Sequence, residues 1–395
     1  MSRLKVAVIA DLLEEGWPSM DLVAEMLVER LSAEHRAAVD ATLVRPPLRR
    51  RALRLSPGRA AFSADRMANR FWDYPRVVRD LAPRFDVFHV VDHSYAHLVH
   101  ALPAARTLVT CHDLDTFRSV LEPNAERRSL PFRLMTRRIL AGLRQAAHIA
   151  CDTSATRDGL VQRAGIPPER TTVIHNGPHP SCTVFPEPPA DAEAARLVGG
   201  AGGVDLLHVG STIARKRIDV LVQVLAAVRR HRPQVRVVHV GGPLTAAQRR
   251  LAQDLGVDGA IVSLPFLDRT TLAAVYRRSA LLVLPSDREG FGLPVLEAMA
   301  CGLPVVASDI DALREVGGTA ATFCAVGDVE AWTQAILRLL HERDTNREGW
   351  RLRAQRGAER AAAFSWSRYA ADVLPLYLRL AGRQAPAQTA GAASP

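Results

Sequence analysis

The sequence predicts an α/β fold of two doubly wound, Rossmann-like domains, each a parallel sheet wrapped by crossover helices. Three observations carry that expectation. The chain has 395 residues, more than one hydrophobic core usually serves. Short apolar runs alternate with longer helical patterns twice over, as parallel strands with crossover helices require. Between the two series lies a stretch dense in Pro and Gly, running from Pro178-His179-Pro180 through Pro186-Glu187-Pro188-Pro189 to Gly199-Gly200-Ala201-Gly202-Gly203. Such residues punctuate structure rather than continue it.

The first series places strands over residues 5–10, 86–91, 107–111, 148–151 and 172–174, and the second over 205–209, 235–240, 260–263, 280–284 and 304–307. The expected organisation is an N-terminal domain over 1–180, a linker over 181–203 and a C-terminal domain over 204–363. Asn176-Gly177 reads as a turn near the hinge. A last helical pattern, 364–382, contains Pro375, which should kink or end it. Residues 383–395 read as a disordered tail. Two doubly wound units in succession make a central cleft between them the expected ligand site.

Composition narrows the function classes. With 48% apolar and 23% charged residues, the chain has the balance of a folded protein rather than a disordered one. No run of 18 apolar residues occurs, so no membrane-spanning helix is expected. Met1 leads straight into an apolar strand without a small-residue cleavage site, so no signal peptide is expected. Five cysteines (Cys111, Cys151, Cys182, Cys301, Cys324) lie far apart and form no CxxC pair. That argues against a disulfide framework or a zinc cluster and fits a reducing cytoplasm.

The formal net charge is +10, which favours anionic partners: nucleic acid, an acidic membrane or a phosphorylated ligand. Of the 51 basic residues only Lys5 and Lys216 are lysine. In so Arg-biased a chain, a retained lysine marks a place where a compact ammonium matters. Lys5 sits at an exposed terminus; Lys216 sits in a motif.

That motif is one of two that carry chemistry. In Leu284-Pro-Ser-Asp-Arg-Glu289-Gly290-Phe291-Gly292-Leu293-Pro294-Val-Leu-Glu297 a strand ends, a glycine-containing loop follows and a helix begins around Pro294, to stop at Gly302 and Pro304. The amides of Gly290, Phe291 and Gly292 then lie at a helix N-terminus, where unpaired donors and the dipole favour an anion. Glu289 precedes the helix and Glu297 falls in about its first turn. Carboxylates accept well from vicinal hydroxyls, so acids beside an anion site suggest a ligand with both phosphate and sugar. Taken singly, Glu289 reads equally as a dipole partner and Glu297 as part of a solvated helix face.

In Leu206-Leu-His-Val-Gly210-Ser211-Thr-Ile-Ala-Arg215-Lys216-Arg217 another strand runs through a glycine turn to three consecutive cations. Three cations in such a loop can neutralise a diphosphate, or form a solvated basic turn. No GxxxxGK[ST] spacing and no GxGxxG after a strand occurs, which disfavours a P-loop enzyme and a nicotinamide enzyme.

The Glu289-x7-Glu297 motif in EGFGLPVLEAMACGLPVVASD, with VGSTIARKR upstream, resembles the retaining family 4 glycosyltransferases of the GT-B fold (glycosyl transferases group 1). Smaller matches follow the family's order from about residue 4 to 380: Val109-Thr-Cys-His112-Asp113, Ile149-Ala-Cys-Asp-Thr-Ser154, Val173-Ile-His-Asn176-Gly177 and Phe364-Ser-Trp366. The resemblance implies an acceptor-binding N-terminal domain, a nucleotide-sugar-binding C-terminal domain and a C-terminal helix crossing back to the first. It implies that Arg215 and Lys216 hold the donor diphosphate and stabilise the charge that builds as the sugar–phosphate bond breaks. Gly210 and Ser211 would line the phosphate loop, Glu297 would bind the ribose, and Glu289 with the amides from Gly290 to Leu293 would contact sugar or phosphate. His112 would face the donor sugar across the cleft; by itself it reads as a strand-end histidine with a local hydrogen bond. The sequence departs from many relatives at Ser211, where they carry an arginine, leaving Arg215 to supply the second cation. The early turn Glu14-Glu15-Gly16-Trp17-Pro18-Ser19 has one glycine where relatives are glycine-rich.

The reaction so implied moves a hexose from a UDP- or GDP-linked sugar, with retention, to a hydroxyl of a glycan or lipid-linked acceptor. It belongs to bacterial cell-envelope polysaccharide or glycoconjugate synthesis and needs neither cofactor nor metal. No DxD-like pair or His/Cys cluster stands out in the sequence. Leu264-Pro265-Phe266-Leu267 is the expected base-recognition loop. The alternatives are a catalytically silent scaffold on the same fold and a basic nucleic-acid-binding protein; the latter is disfavoured by 5% aromatic content and the lack of a known nucleic-acid motif. A pyridoxal phosphorylase is disfavoured because no spare lysine exists.

Two basic stretches stand apart. Six arginines and no acid lie from Arg45 to Arg59, and six more from Arg127 to Arg144. In the second, Phe132, Met135, Ile139 and Leu143 recur at helical spacing. That pattern suits either docking on an anionic leaflet, as a peripheral protein of the inner plasma-membrane face, or a helix packing its stripe into the N-terminal domain.

Overall fold

Strands in these runs are rich in Val, Leu and Ile without strict alternation, the pattern of strands covered on both faces. The computed structural model, which describes residues 2–124, 126–199 and 203–383, forms twelve strands among them. These are β1 (Leu4–Ile9), β2 (Val39–Val44), β3 (Val87–Val90), β4 (Thr107–Cys111), β5 (His148–Cys151), β6 (Thr171–Val173), β7 (Val204–Val209), β8 (Val235–Val240), β9 (Ile261–Leu264), β10 (Leu281–Leu284), β11 (Val305–Ser308) and β12 (Thr322–Cys324). They make two six-stranded sheets, ordered β2-β1-β3-β4-β5-β6 and β12-β11-β10-β7-β8-β9, with every pairing parallel. The chain divides into two units, residues 1–176 with the chain from Trp366 on, and residues 177–365. The break falls at Asn176-Gly177, where the backbone forms no regular element and no turn.

Ten strands lie where the alternation places them, within a residue or so. Two were not anticipated, β2 and β12, and both are edge strands. In β2 (VDATLV) only the two terminal valines are buried, so the apolar signal is thin; β12 is three residues long. In each sheet the connection order reverses once, between β1 and β3 and between β7 and β10. Such switch points are where open α/β sheets take their ligands.

The stretch 181–203 was expected to be a linker and is not one. Its prolines open a helix, Pro188–Val198, where the missing N–H costs nothing. Ala190, Ala194 and Val198, spaced four residues apart, form a stripe buried in the second unit's core. Arg277 pairs with Asp191 at 2.7 Å and Arg278 donates to the Ala194 carbonyl at 2.6 Å. Residues 200–202 lie outside the described residues, as does the tail expected over 383–395 from residue 384 on.

Pro375 does not end the last helix, which runs from Trp366 to Leu380 and belongs to the first unit. An interior proline costs about 3 kcal/mol. Tyr369, Ala370, Val373 and Tyr377 are fully buried along one face and offset it, and the Tyr377 hydroxyl meets His89 Nδ1 at 2.7 Å.

The helix Leu130–Gln145 turns part of its predicted stripe inward and leaves Leu130 and Leu134 exposed at 64% and 54%. Ile139 and Leu143 of its apolar stripe are buried in the first unit's core, and Met135 packs on that core. A stripe spent on the interior is not available to lipid. No helix among the described residues is long and apolar enough to cross a membrane, and the five cysteines are free and buried.

Several histidines are interior. His208 and His239 stand side by side on β7 and β8, with Nδ1 atoms 3.0 Å apart; one must donate and the other accept. Burial, with the partner ring and Lys216 adding to it, drives His208 well below its usual pKa, and burial lowers His239 to about 4. Burial likewise takes His89 and His97 to about 3. Groups whose folded pKa is depressed from 6.5 must be charged on unfolding in acid, so their stabilisation is complete above pH 6.5 and lost below it. Calorimetric melting temperatures should therefore fall steeply between pH 6.5 and 4. The slope should be about 1.4 kcal/mol per pH unit for each of His89, His97 and His208 still neutral in the fold.

Candidate functional site

At the second unit's switch point, the loops after β7 and β10 meet. Gly210 follows β7 with φ 149°, and a Cβ there would press on Lys216 Cε at 3.3 Å. The glycine thus lets the lysine lie across the loop. The loop continues through half-buried Ser211 into a short 3-10 turn, Ala214–Lys216. Lys216 Nζ then reaches Glu289 Oε1 at 2.6 Å and Arg215 reaches Oε2 at 3.0 Å. Arg215 also donates to the Arg288 carbonyl at 2.8 Å, while the Asp287 amide donates to the Arg215 carbonyl at 2.9 Å. The two loops are latched by side chain and backbone together.

The Glu289 side chain is 6% exposed. Burial opposes its charge, but Lys216 and Arg215 beside it hold its pKa below the usual glutamate value. It is more than a dipole partner, since both oxygens accept from cations. Arg217, the third cation of the run, turns away: it is the one non-glycine residue at positive φ among those described and pairs with Asp219 at 2.9 Å.

The helix Leu293–Ala300 begins directly after this latch. Its first turn is capped by no side chain, and Gly292 at the cap has φ 92°. That φ favours glycine, and a Cβ there would also press on the Leu313 side chain. Gly290, Phe291 and Gly292 are buried and Leu293 is half-buried. The Phe291 ring packs edge-on to Phe364 at 6.1 Å, which anchors the loop while its backbone rims the helix start. An uncapped helix start beside two cations is a place for an anion.

Glu297 lies in the second turn of this helix rather than the first, and not on a solvated face. It is 7% exposed and accepts from the buried Tyr276 hydroxyl at 2.9 Å. Burial pushes its pKa up to about 7, against that hydrogen bond and the charge of Arg269. The loop 264–267 leaves β9, with Phe266 56% exposed at its tip.

In the first unit, four adjacent strands of the sheet each end in a buried ionisable residue: Asp11 after β1, Asp92 after β3, His112 after β4 and Asp152 after β5. Parallel register explains their meeting. Cys111 is paired with Cys151, so the next residues, His112 and Asp152, stand side by side, Nδ1 to Oδ2 at 2.6 Å. The other ring nitrogen, Nε2, donates to the Val91 carbonyl at 2.6 Å. With acceptors at both nitrogens the ring is an imidazolium. Burial works against that charge, but Asp152, then Asp92 and the Val91 carbonyl, raise its pKa to about 9. The strand-end histidine with a local hydrogen bond is what this geometry displays.

Asp11 was missed from sequence. It is 1% exposed, and neither carboxylate oxygen has a hydrogen-bond partner. Burial, then Asp92 and Asp21, raise its pKa to about 7, with Arg45 opposing. Asp92 is engaged instead, accepting from the Ser94 amide and hydroxyl at 2.7 and 2.6 Å. The signal that could have found all four is an acid or histidine within two residues of each strand's C-terminal end.

Comparison with known proteins followed the same regions. A family profile described as Glycosyltransferase Family 4 matches residues 22–182, and one described as Glycosyl transferases group 1 matches residues 203–342. A D-inositol 3-phosphate glycosyltransferase of Frankia alni is 32% identical over 74% of this chain and 74% of its own length. The protein of the same name from Thermobispora bispora is 32% identical over 59% of this chain, and the match spans 56% of that relative. Among solved structures, sucrose-phosphate synthase of Thermosynechococcus elongatus superposes with a TM-score of 0.73 at 22% identity, covering 96% of this chain and 99% of that one. Anabaena HepE, solved with UDP and glucose, gives 0.71 at 16% identity, covering 95% and 99%. At these identities the solved structures show the fold.

Asp152→Asn should bring the His112 titration, followed by NMR, from about 9 to below 6.5. The sign is opposite to that of the interior histidines. A raised pKa stabilises fully below pH 6.5 and is lost as pH climbs through the folded value. Wild type should lose about 3 kcal/mol between pH 6.5 and 10 from this pair, and the variant should not.

Proposed function

This chain belongs to the family 4 glycosyltransferases of the GT-B fold, and on that premise we propose that it moves a hexose from a nucleoside diphosphate sugar to a hydroxyl of a glycan or lipid-linked acceptor, with retention of configuration and without a metal. The observation that supports this most is the Arg215–Lys216–Glu289 latch beside the uncapped start of the helix Leu293–Ala300. Two cations and a helix dipole converge where one carboxylate now holds them. A diphosphate offers the same cations more charge, and the amides of 290–293 add donors.

In this reading the second unit holds the donor. Arg215 and Lys216 take the diphosphate and stabilise the leaving group, the service Mg²⁺ performs in other transferases. Glu297, poised near neutrality by burial, accepts from the ribose, and Phe266 on the loop after β9 borders the base. UDP or GDP is the proposed nucleotide; HepE and its UDP complex lend support to the first. The acceptor falls to the first unit, where the unpartnered Asp11 oxygens offer acceptors for a hydroxyl; His112 would serve the transferred sugar only by releasing the Val91 carbonyl from Nε2. Cell-envelope glycoconjugate synthesis is the proposed setting.

The step is a front-face displacement. The bond from the anomeric carbon to the β-phosphate oxygen breaks, and the acceptor oxygen bonds to the same face of that carbon. The acceptor proton passes to the departing phosphate, which leaves as the nucleoside diphosphate. Glu289 is not assigned as a covalent nucleophile, because both its oxygens are held by cations.

Thermal stabilisation by UDP-, GDP-, ADP- and dTDP-sugars, each with EDTA and with Mg²⁺, tests the donor. One nucleotide family should raise the melting temperature equally in both conditions and fail to do so in Lys216→Ala. No shift with any donor would favour a silent scaffold on the same fold. Glu289→Gln should also cut turnover at least about 100-fold; near-normal turnover would remove Glu289 from the reacting centre.

A further inference from the structure

The segment after β1 reverses the charge of the rest of the chain. The whole carries +10, yet residues 11–29 hold six acids (Asp11, Glu14, Glu15, Asp21, Glu25 and Glu29) and no lysine, arginine or histidine. This run begins at the first sheet's switch point, with β1 beside β3. Ile9 is paired with Val90, so the residues two further on, Asp11 and Asp92, stand at the same level beyond neighbouring strands.

The arginines that approach this edge are matched by acids. Arg45, after β2, lies 2.7 Å from Asp21 and 3.7 Å from Glu25. Arg70 lies 3.4 Å from Glu15, stacks over the Tyr95 ring at 4.2 Å and donates to the Ser94 carbonyl. Asp92 takes its donors from Ser94. Two tyrosine hydroxyls flank Asp11, and both serve the backbone. Tyr74 lies 2.6 Å from the Ala10 carbonyl and 2.8 Å from that of Val44, and Tyr95 accepts from the Leu12 amide at 3.3 Å. These buried rings clamp the chain on either side of Asp11 and leave its carboxyl out. Asp11 is 1% exposed, and neither oxygen has a hydrogen-bond partner among the described residues. Burial first, then Asp92 and Asp21, hold it toward its neutral form, with Arg45 opposing.

On the reading that the first unit takes the acceptor, we propose that the acceptor is an aminated sugar or polyol whose ammonium group is received by Asp11. One ammonium supplies the positive charge this edge lacks and up to three N–H donors for two oxygens that have none. A hydroxyl supplies one donor and no charge, and charge-assisted hydrogen bonds are about twice as strong as neutral ones. A phosphorylated acceptor would meet Asp11, Asp92 and the acids of 11–29 with Arg45 and Arg70 already paired, and the edge selects against it. Binding draws Asp11 to its carboxylate form, and its proton passes to solvent. The segment 13–19 is exposed at every residue but Glu15, so the carboxyl lies one turn of chain from solvent.

Calorimetric titration of the full-length protein at pH 7 with D-glucosamine, D-glucose and D-glucose 6-phosphate tests this, with and without UDP or GDP. Glucosamine, mostly protonated at that pH, should bind at least about tenfold more tightly than glucose. The phosphate ester should bind more weakly than either. Asp11→Asn keeps the shape and removes the charge, and it should bring glucosamine to within about twofold of glucose. Its melting temperature at pH 8 should be no lower than that of wild type, because the charge it removes is buried without a partner. Asp40→Asn, an exposed acid of β2, should leave the preference intact. Equal affinity for glucosamine and glucose, no binding of glucosamine, tighter binding of the phosphate ester, or a preference unchanged in Asp11→Asn would each overturn the proposal. The nucleotide-sugar melts report on the second unit, so a donor shift together with any of these results removes the amine and leaves the transferase reading in place.

Discussion

Glu289 gathers two loops of the second unit through two cations, and much of that unit's site follows from this arrangement. Without it, Lys216, 10% exposed, would lose the carboxylate it pairs with, a loss that costs about 3 to 5 kcal/mol for a buried pair. With it, the loop after β7 and the loop after β10 are joined at the sheet's switch point, directly before an uncapped helix start. The latch keeps both cations desolvated, paired and in place, so that a competing anion meets a preorganised site. Gly210 and Gly292 both adopt positive φ, 149° and 92°, which favours glycine at each.

The first unit uses the same topological rule with different chemistry. Its switch lies between β1 and β3, and the strand ends there and beside it carry Asp11, Asp92, His112 and Asp152. One sheet edge thus holds a charged imidazolium against Asp152 and, two strands away, a carboxyl raised toward neutrality by burial and by Asp92. The two groups are pushed in their respective directions by their neighbours rather than by their identities. Parallel register makes this possible, because it sets residues that follow paired positions next to one another at the sheet's C-terminal edge.

The misreadings share a cause. Prolines at 188 and 189 were read as breakers, yet proline at a helix start is neutral, and a buried Ala190-Ala194-Val198 stripe makes the segment part of the core. Pro375 was expected to interrupt a helix that four buried side chains hold together. The arginine-rich helix 130–145 carried two faces in its sequence, and only packing decided that its apolar stripe belongs inside. In each case local propensity was outweighed by burial, which no window of sequence reports.

The sequence by itself determined the parallel α/β architecture and ten of the twelve strands described, and it singled out Arg215, Lys216 and Glu289, which the fold brings together, because apolar periodicity and local glycine and charge patterns are properties of neighbouring residues. Tertiary structure alone decided that Glu289 is the counter-ion of both cations, that Glu297 is buried against Tyr276, that Arg217 turns away to Asp219, and that Asp11 is left without a partner. Those are facts about groups 74, 21 and 81 residues apart for Arg215–Glu289, Tyr276–Glu297 and Asp11–Asp92, and for Arg217 about which way a strained residue points. Charge state, desolvation and hydrogen-bond partnership depend on what the fold brings within a few ångströms, and only the assembled sheets set those distances.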